Sequence, residues 1–381
     1  MASLDLSKAF DSISHTQLLQ KLTNIGLGQN VVEWMKSYLT NRTQKIKFST
    51  EISETETVTS GVPQGSILGP ILFIIFTNDL ITAFKDQTHV VSYADDTQLL
   101  ETGKTANEVK AKLERTIEIA QTWYKQNSLM SNPTKTEIII FRSMKGKKEN
   151  ITIKVEENGE EVELKPAEVI KVLGVHVDEC LGFNKQVKHI QGKTTAATKN
   201  LYRIRDLLPI KYKKMLYDSL IASHFNYADI IWGGCTKKNQ DKLQTTQNFA
   251  MRTILGCDRR SSAKEALKKL RYLNLQDKRQ VHEAVFAHKA INEMQPQEIN
   301  KKYKDLLPTG NTRSASRKTL HYPKHKTTLY ERSPLYRTVT TWNKLSQQEK
   351  TTKSQYFKKN VQETKICEKY GKIKEDKEDT E

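Results

Sequence analysis

No hydrophobic run in the 381-residue chain is long enough to cross a bilayer. The longest, Ile67 to Phe76, contains Gly69-Pro70 and runs into Asn78-Asp79, so a buried core helix fits it better than a membrane span. The N-terminus, MASLDLSKAFDS, has neither the basic stretch nor the apolar stretch of a secretory leader, and an intracellular protein, nuclear or cytoplasmic, is expected. Cysteine is scarce. The four residues Cys180, Cys235, Cys257 and Cys367 lie far apart, without the paired spacing of a zinc site or the density of a disulfide framework, and read as reduced thiols. Acid is also in deficit: 62 lysines and arginines face 44 aspartates and glutamates, for a formal charge of +18. That excess favours a polyanion such as DNA or RNA as partner over the competing reading, an anionic membrane surface. No internal repeat is present.

What the chain does have is room for two or three domains and a sizeable core. In its first third, helical patterns are expected from His15 to Ile25, stopping at Gly26, and in QNVVEWMKSYLTN. Two β-rich runs follow, Gln44 to Phe48 and Glu54 to Thr59, before the loop SGVPQGS leads into the apolar helix that Pro70 can start. Thr105 to Glu108 has the form of a capping box, and Val109, Leu113, Ile117, Ala120 and Tyr124 recur at helical spacing on a helix that should lie on the sheet. Thr136 to Phe141 reads as a buried strand, and Asn158-Gly159 as the turn of a hairpin. From about Phe183 long basic helical patterns take over, one of them ending at a C-cap Gly256. Residues 311 to 340 read as a basic extended region, and the tail from about Glu363 as solvated and frayed.

The stretch SYADDTQLL raises the chemical question, because Asp95 and Asp96 are adjacent between two apolar runs. In mid-strand, neighbouring side chains point to opposite faces and one charge would be buried; a tight hairpin turn could instead present both acids near one spot. An exposed Asx turn is the plainer reading. Two-metal phosphoryl transfer needs carboxylates from separate strands to meet, and the missing acid has a candidate in Asp5, at the end of an incipient apolar strand. Asp11 is the alternative, read first as a helix N-terminal cap.

Five segments in order, DLSKAFD, GVPQGSILGPILFIIFTNDL, YADDTQLL, NPTKTEIIIF and KVLGVHVD, resemble the palm motifs of reverse transcriptases, with wording similar to non-LTR retrotransposon polymerases of the jockey and CR1 kind. The resemblance covers residues 3 to 182 well and is looser beyond. It implies an α+β fold: a right-hand polymerase palm, an antiparallel sheet with packed helices, lacking most of the fingers and followed by a helical thumb and a basic C-terminal region. The expected divisions are a palm at 1–142, a hairpin and primer-grip-like strand at 143–182, a thumb-like region at 183–260, a basic region at 261–362 and a charged tail at 363–381. The start of the chain close to Asp5 reads as an N-terminal truncation.

Residue by residue, the resemblance makes Asp5, Asp95 and Asp96 ligands for two Mg²⁺ ions, with Mn²⁺ as the alternative, and Lys135 the acid that protonates leaving pyrophosphate. Phe10 matches the aromatic under the incoming sugar, with an ordinary core role as the other reading. Gln64 and Gly65 match the loop that meets nucleotide and template, and Leu173-Gly174 the primer-grip turn, where simple hairpin geometry would explain the same glycine. The implied reaction is templated transfer of dNTPs to a primer 3′-hydroxyl. Its partners are an RNA template, a DNA primer and their hybrid. The other hypothesis is a catalytically dead, nucleic-acid-binding remnant; Phe10 and the YADD context speak against a viral RNA-dependent RNA polymerase.

Overall fold

The computed structural model describes residues 1–84, 88–132, 135–143, 151–157, 160–310 and 318–371. The chain divides into two compact units, Met1–Val172 with Asp178–Cys180, and Leu173–Val177 with Leu181–Glu381. The division falls at the hairpin of strands Val169–Val172 and Val175–Asp178. Among the described residues no helix is long and apolar enough to cross a membrane.

The first unit is built round a short strand, β1 (Ala2–Leu4), followed after one residue by β2 (Leu6–Ser7). Helices α1 (His15–Asn24) and α2 (Gln29–Leu39) come next, and Gly26 with φ +90° takes the left-handed turn that stops α1. Ser14 caps α1 by accepting from Gln17 N at 3.4 Å, so Asp11 is not that cap. The β-rich runs form a narrow ribbon: β3 (Arg42–Gln44) pairs with β6 (Glu56–Val58), and β4 (Lys47–Phe48) with β5 (Glu51–Ile52). The apolar segment is α3 (Leu68–Thr77), and Pro70 is its third residue. Leu72, Phe73 and Phe76 are buried, while Ile71 and Ile74 face outward, so only one side of this uniformly apolar helix is core. Another short helix, α4 (Leu80–Ala83), precedes the hairpin of β7 (His89–Tyr93) and β8 (Asp96–Leu100).

Four strands make one antiparallel sheet in the order β10-β1-β8-β7, β10 being Glu137–Ile138. The expected strand from Thr136 to Phe141 is thus reduced to two residues. Over the sheet lies α5 (Ala106–Gln126), whose Leu113, Ile117, Ala120 and Tyr124 are buried at helical spacing. Burial of each large member contributes about 1.5–3 kcal/mol. Its start differs from a reciprocal capping box: Thr105 accepts from Glu108 N, but the Glu108 carboxylate accepts from Lys104 N at 2.8 Å, one residue too early. A strand β9 (Met130–Ser131) pairs with β2. The later hairpin pairs Ile153–Glu157 with Glu160–Leu164, and its expected turn, Asn158-Gly159, lies outside the described residues.

The second unit is helical, with long elements at Asn184–Arg203, Lys237–Leu255 and Leu275–Ile291. Gly256 ends the second of these at φ +67°. One apolar cluster runs from Val175 through Trp232, Leu243, Val281 and Trp342 to Tyr370, so packing gives no counterpart to a division at residue 260. Within 311–340, residues 311–317 lie outside the described set. Thr328–Glu331 and Pro334–Asn343 are helical rather than extended, because Ser333 caps the latter and Pro334 supplies its first turn. The tail also differs: helix Ser354–Tyr370 buries Val361, Ile366 and Tyr370, which anchors residues expected to fray from Glu363.

Gly61 shows how tightly the first unit is closed. Its φ is +85°, and a Cβ there would meet Asp11 Cα at 2.7 Å and Phe10 O at 2.8 Å. Gly65, at φ +80°, has nothing within 4 Å of that position. Gly61→Ala is expected to destabilise the unit by about 2–4 kcal/mol, combining backbone strain with a clash against main chain, and Gly65→Ala by about 1 kcal/mol from strain alone. Denaturant midpoints of the two variants measured side by side check the order; equal losses would contradict it.

Candidate active site

The registers of the central sheet set the positions of the three acids. Ala2, Ser3 and Leu4 pair with Leu99, Gln98 and Thr97, and one step further along the same antiparallel register brings Asp5 opposite Asp96. The hairpin pairing of Tyr93 with Asp96 leaves Ala94 and Asp95 as the turn, and Ala94 takes φ +52°. The acidic pair is therefore split: Asp95 is at the tip and Asp96 is the first residue of β8. Both carboxylates are half-buried. The Asp96 carboxyl is held above the ordinary carboxylate range, first by burial and then by the charges of Asp95 and Asp5. Three acids thus share one electrostatic neighbourhood.

Asp5 sits where the chain passes from one ladder to the next, its carbonyl accepting from Asn132 N at 2.9 Å. Its Oδ2 is buried and accepts no hydrogen bond among the described residues. Lys135 Nζ stands 3.1 Å from that oxygen, an ion pair without hydrogen-bond geometry, and its own side chain is 65% exposed. A buried carboxylate oxygen that, among the described residues, has an exposed ammonium beside it and no hydrogen bond has unused capacity for a cation. Among the described residues, however, no three His, Cys, Asp or Glu side chains close into a finished ion cage. The donor set, all carboxylate oxygen, fits a hard ion such as Mg²⁺ or Mn²⁺.

A second cluster lies round Phe10. Its ring is half-buried and stacks on Phe73 with centroids 4.6 Å apart. Val62 N donates to Phe10 O, Gly61 N to Ile13 O, and His15 Nε2 lies 2.8 Å from Gly61 O, so the GVPQGS loop is tied to the turn after Asp5. Gln64 Nε2 donates to Asp11 Oδ1 at 2.9 Å. The structure therefore brings Phe10, Asp11 and Gln64 together, and gives Asp11 a loop-holding bond in place of the expected helix cap.

Leu173 and Gly174 belong to the second unit and form a turn with φ of +45° and +83°. Tyr227 donates its hydroxyl to Leu173 O at 2.5 Å, and a Cβ on Gly174 would lie 3.4 Å from its ring. Nothing in the sequence pattern singles out Tyr227, because its role depends on a contact 54 residues away.

Residues 1–177 match the family described as "Reverse transcriptase (RNA-dependent DNA polymerase)". The probable RNA-directed DNA polymerase from transposon BS of Drosophila melanogaster is 30% identical over 266 residues, covering 67% of this chain and 28% of that protein. The RNA-directed DNA polymerase from mobile element jockey of the same species is 26% identical over 73% of this chain and 31% of its own length. The probable polymerase from transposon X-element is 26% identical over 67% and 28%. This chain thus spans less than a third of the length of these relatives. The mixed helix and sheet arrangement of the first unit is palm-like, and through residues 1–177 the chain belongs to the reverse transcriptase family, in its jockey-like non-LTR retrotransposon branch.

Proposed function

We propose that the chain carries the polymerising centre of an RNA-directed DNA polymerase, which adds dNTPs to a primer 3′-hydroxyl on an RNA template. The observation that carries this reading is the convergence of Asp5, Asp95 and Asp96 at one end of the sheet, with the buried Asp5 Oδ2 accepting no hydrogen bond among the described residues. Asp5, Asp95 and Asp96 hold the divalent ions, Mg²⁺ or Mn²⁺. Bound there, such ions supply hydroxyl activation and charge neutralisation on the triphosphate.

The chain's own side chains do the rest. Phe10, fixed from one side by Phe73, limits the space under the incoming sugar and disfavours a 2′-hydroxyl. Gln64, held by Asp11, sets the loop against nucleotide and template, and Gly65 keeps that approach open. Lys135 is already drawn to the acidic cluster, and its ammonium donates a proton to the leaving pyrophosphate oxygen. The helical second unit acts as thumb and holds the hybrid, with Leu173-Gly174 presenting backbone to the primer strand.

The metal assignment is checked by thermal stability. Millimolar Mn²⁺ is expected to raise the wild-type Tm by several degrees through binding to the folded state, and Asp95→Asn to remove most of that rise together with templated primer extension. A chain that binds RNA but shows no Mn²⁺ shift and no extension would instead be a non-catalytic binder.

Without divalent ions, Asp96 should act against stability. Because its folded-state pKa is raised, the folded chain keeps a proton there that the unfolded chain has already lost, and stability falls as pH rises through that window above about 4. Asp96→Asn is then expected to gain at most about 2 °C in Tm at pH 7 and nothing at pH 3.5, the exposure of the site keeping the effect small. A gain equal at both pH values would locate the effect elsewhere.

Phe10→Ala is expected to raise incorporation of ribonucleotides relative to deoxyribonucleotides by the equivalent of about 1–3 kcal/mol. Competing single-nucleotide incorporations measure the ratio, and an unchanged ratio would confine Phe10 to packing against Phe73.

A further inference from the structure

The second unit contains a cavity of about 430 Å³ far along the sequence from the acids, within the range typical of ligand sites. Its floor carries a buried acid–imidazole pair: His282 Nδ1 lies 2.7 Å from Asp229 Oδ2, with the two side chains 16% and 7% exposed. Val285, Phe286, Phe357 and Met294 line the walls, and the Phe357 ring is backed by His288 at 4.1 Å. Exposed Lys289 and Lys358 stand in the lining as its cations.

The floor is costly to build. Ala228, just before Asp229, takes φ +50°, a left-handed conformation that an alanine adopts only under constraint, and the preceding Asp218–Ala222 is a π-helical turn. A desolvated Asp–His pair stabilises the fold no better than packed hydrophobic residues would. Since Asp229 occupies Nδ1, the ring nitrogen left to meet a ligand is Nε2. Apolar walls, one fixed ring nitrogen and two ammonium groups make a combination that neither a purely apolar ligand nor a free phosphate requires.

We propose that this cavity captures one unpaired nucleotide of single-stranded RNA, its base between the apolar walls and within reach of His282, its phosphates on Lys289 and Lys358. The choice of RNA rests on the reading of the chain as a template-using polymerase and on its excess of basic residues. The capture itself needs none of the three acids. A paired base cannot enter, so the site reads single strands and ignores duplex.

The test uses the full chain and a short RNA carrying 2-aminopurine, single-stranded or annealed, with AMP, CMP, GMP and UMP as competitors. Expected are a change in 2-aminopurine fluorescence for the single strand only, competition by at least one nucleoside monophosphate, and about a tenfold or greater loss of single-strand affinity in Val285→Trp, which fills the cavity. Met294→Trp, at a 53%-exposed position on the same lining, gives a second obstruction should Val285→Trp fail to fold. Hybrid-duplex affinity should stay unchanged in both. Single-strand affinity that is equal in wild type and in a folded, cavity-filled variant overturns the proposal while leaving the polymerase reading intact. Loss of Mn²⁺ binding and extension with single-strand capture preserved would overturn the polymerase reading alone.

Discussion

The pairing of β1 with β8 is the constraint on which the candidate site depends. Side chains alternate along a strand, so a slip of one residue between Ala2–Leu4 and Thr97–Leu99 would turn Leu4 or Leu99 out of the core and carry Asp5 away from Asp96. The register is therefore specified by burial, not by the acids, which repel one another. Ala2 and Leu99 are fully buried and Leu4 nearly so, and Gln98 Nε2 donates to Ser3 Oγ across the same pair of strands at 2.9 Å. Apolar packing under the sheet thus fixes, at its end, a charge arrangement that the acids would not choose.

Positive φ angles recur where the chain must turn sharply to keep these positions. Ala94 at the tip of the β7–β8 hairpin, Gly61 against the Phe10–Asp11 backbone and Leu173-Gly174 beneath Tyr227 are three separate cases. At Gly61 the requirement is double, since both the φ and the 2.7 Å approach exclude a side chain. At Ala94 a non-glycine residue carries the strain, which the two-residue turn between Tyr93 and Asp96 makes unavoidable.

The elements legible in the sequence were those whose pattern is local. Helices α1, α2 and α5 and the Gly256 cap follow from spacing and a single stop residue. What escaped depends on distant partners. The strand at Thr136–Phe141 looked longer because an apolar run says nothing of how far its neighbour extends: β1 pairs with Glu137 and Ile138, and Met1 exchanges backbone hydrogen bonds with Ile139. The helix through Tyr370 looked frayed because its charges are conspicuous, while Val361, Ile366 and Tyr370 find their burial in a core assembled from residues as far back as Val175. Asp11 looked like a cap because a cap needs only local geometry; its bond to Gln64 spans 53 residues.

One ion pair of the second unit handles charge differently from the acids of the first. Arg337 donates through Nε to Glu283 Oε1 at 2.9 Å and through Nη2 to Ile230 O at 2.8 Å, while Thr341 donates to Glu283 Oε2 at 2.7 Å, so each group of this ion pair, 15% and 6% exposed, is saturated. Gly233 and Gly234 lack side chains where the arginines pass: a Cβ on Gly233 would meet Arg279 Cδ at 2.3 Å, and one on Gly234 would meet Arg337 Nη1 at 2.6 Å. Removing one partner of such a pair would strand the other and cost about 3–5 kcal/mol. The acids of the first unit are the reverse case, like charges gathered with a carboxylate oxygen that accepts no hydrogen bond among the described residues. Saturated charge serves to hold a structure, whereas crowded like charge persists where the surrounding core can bear it.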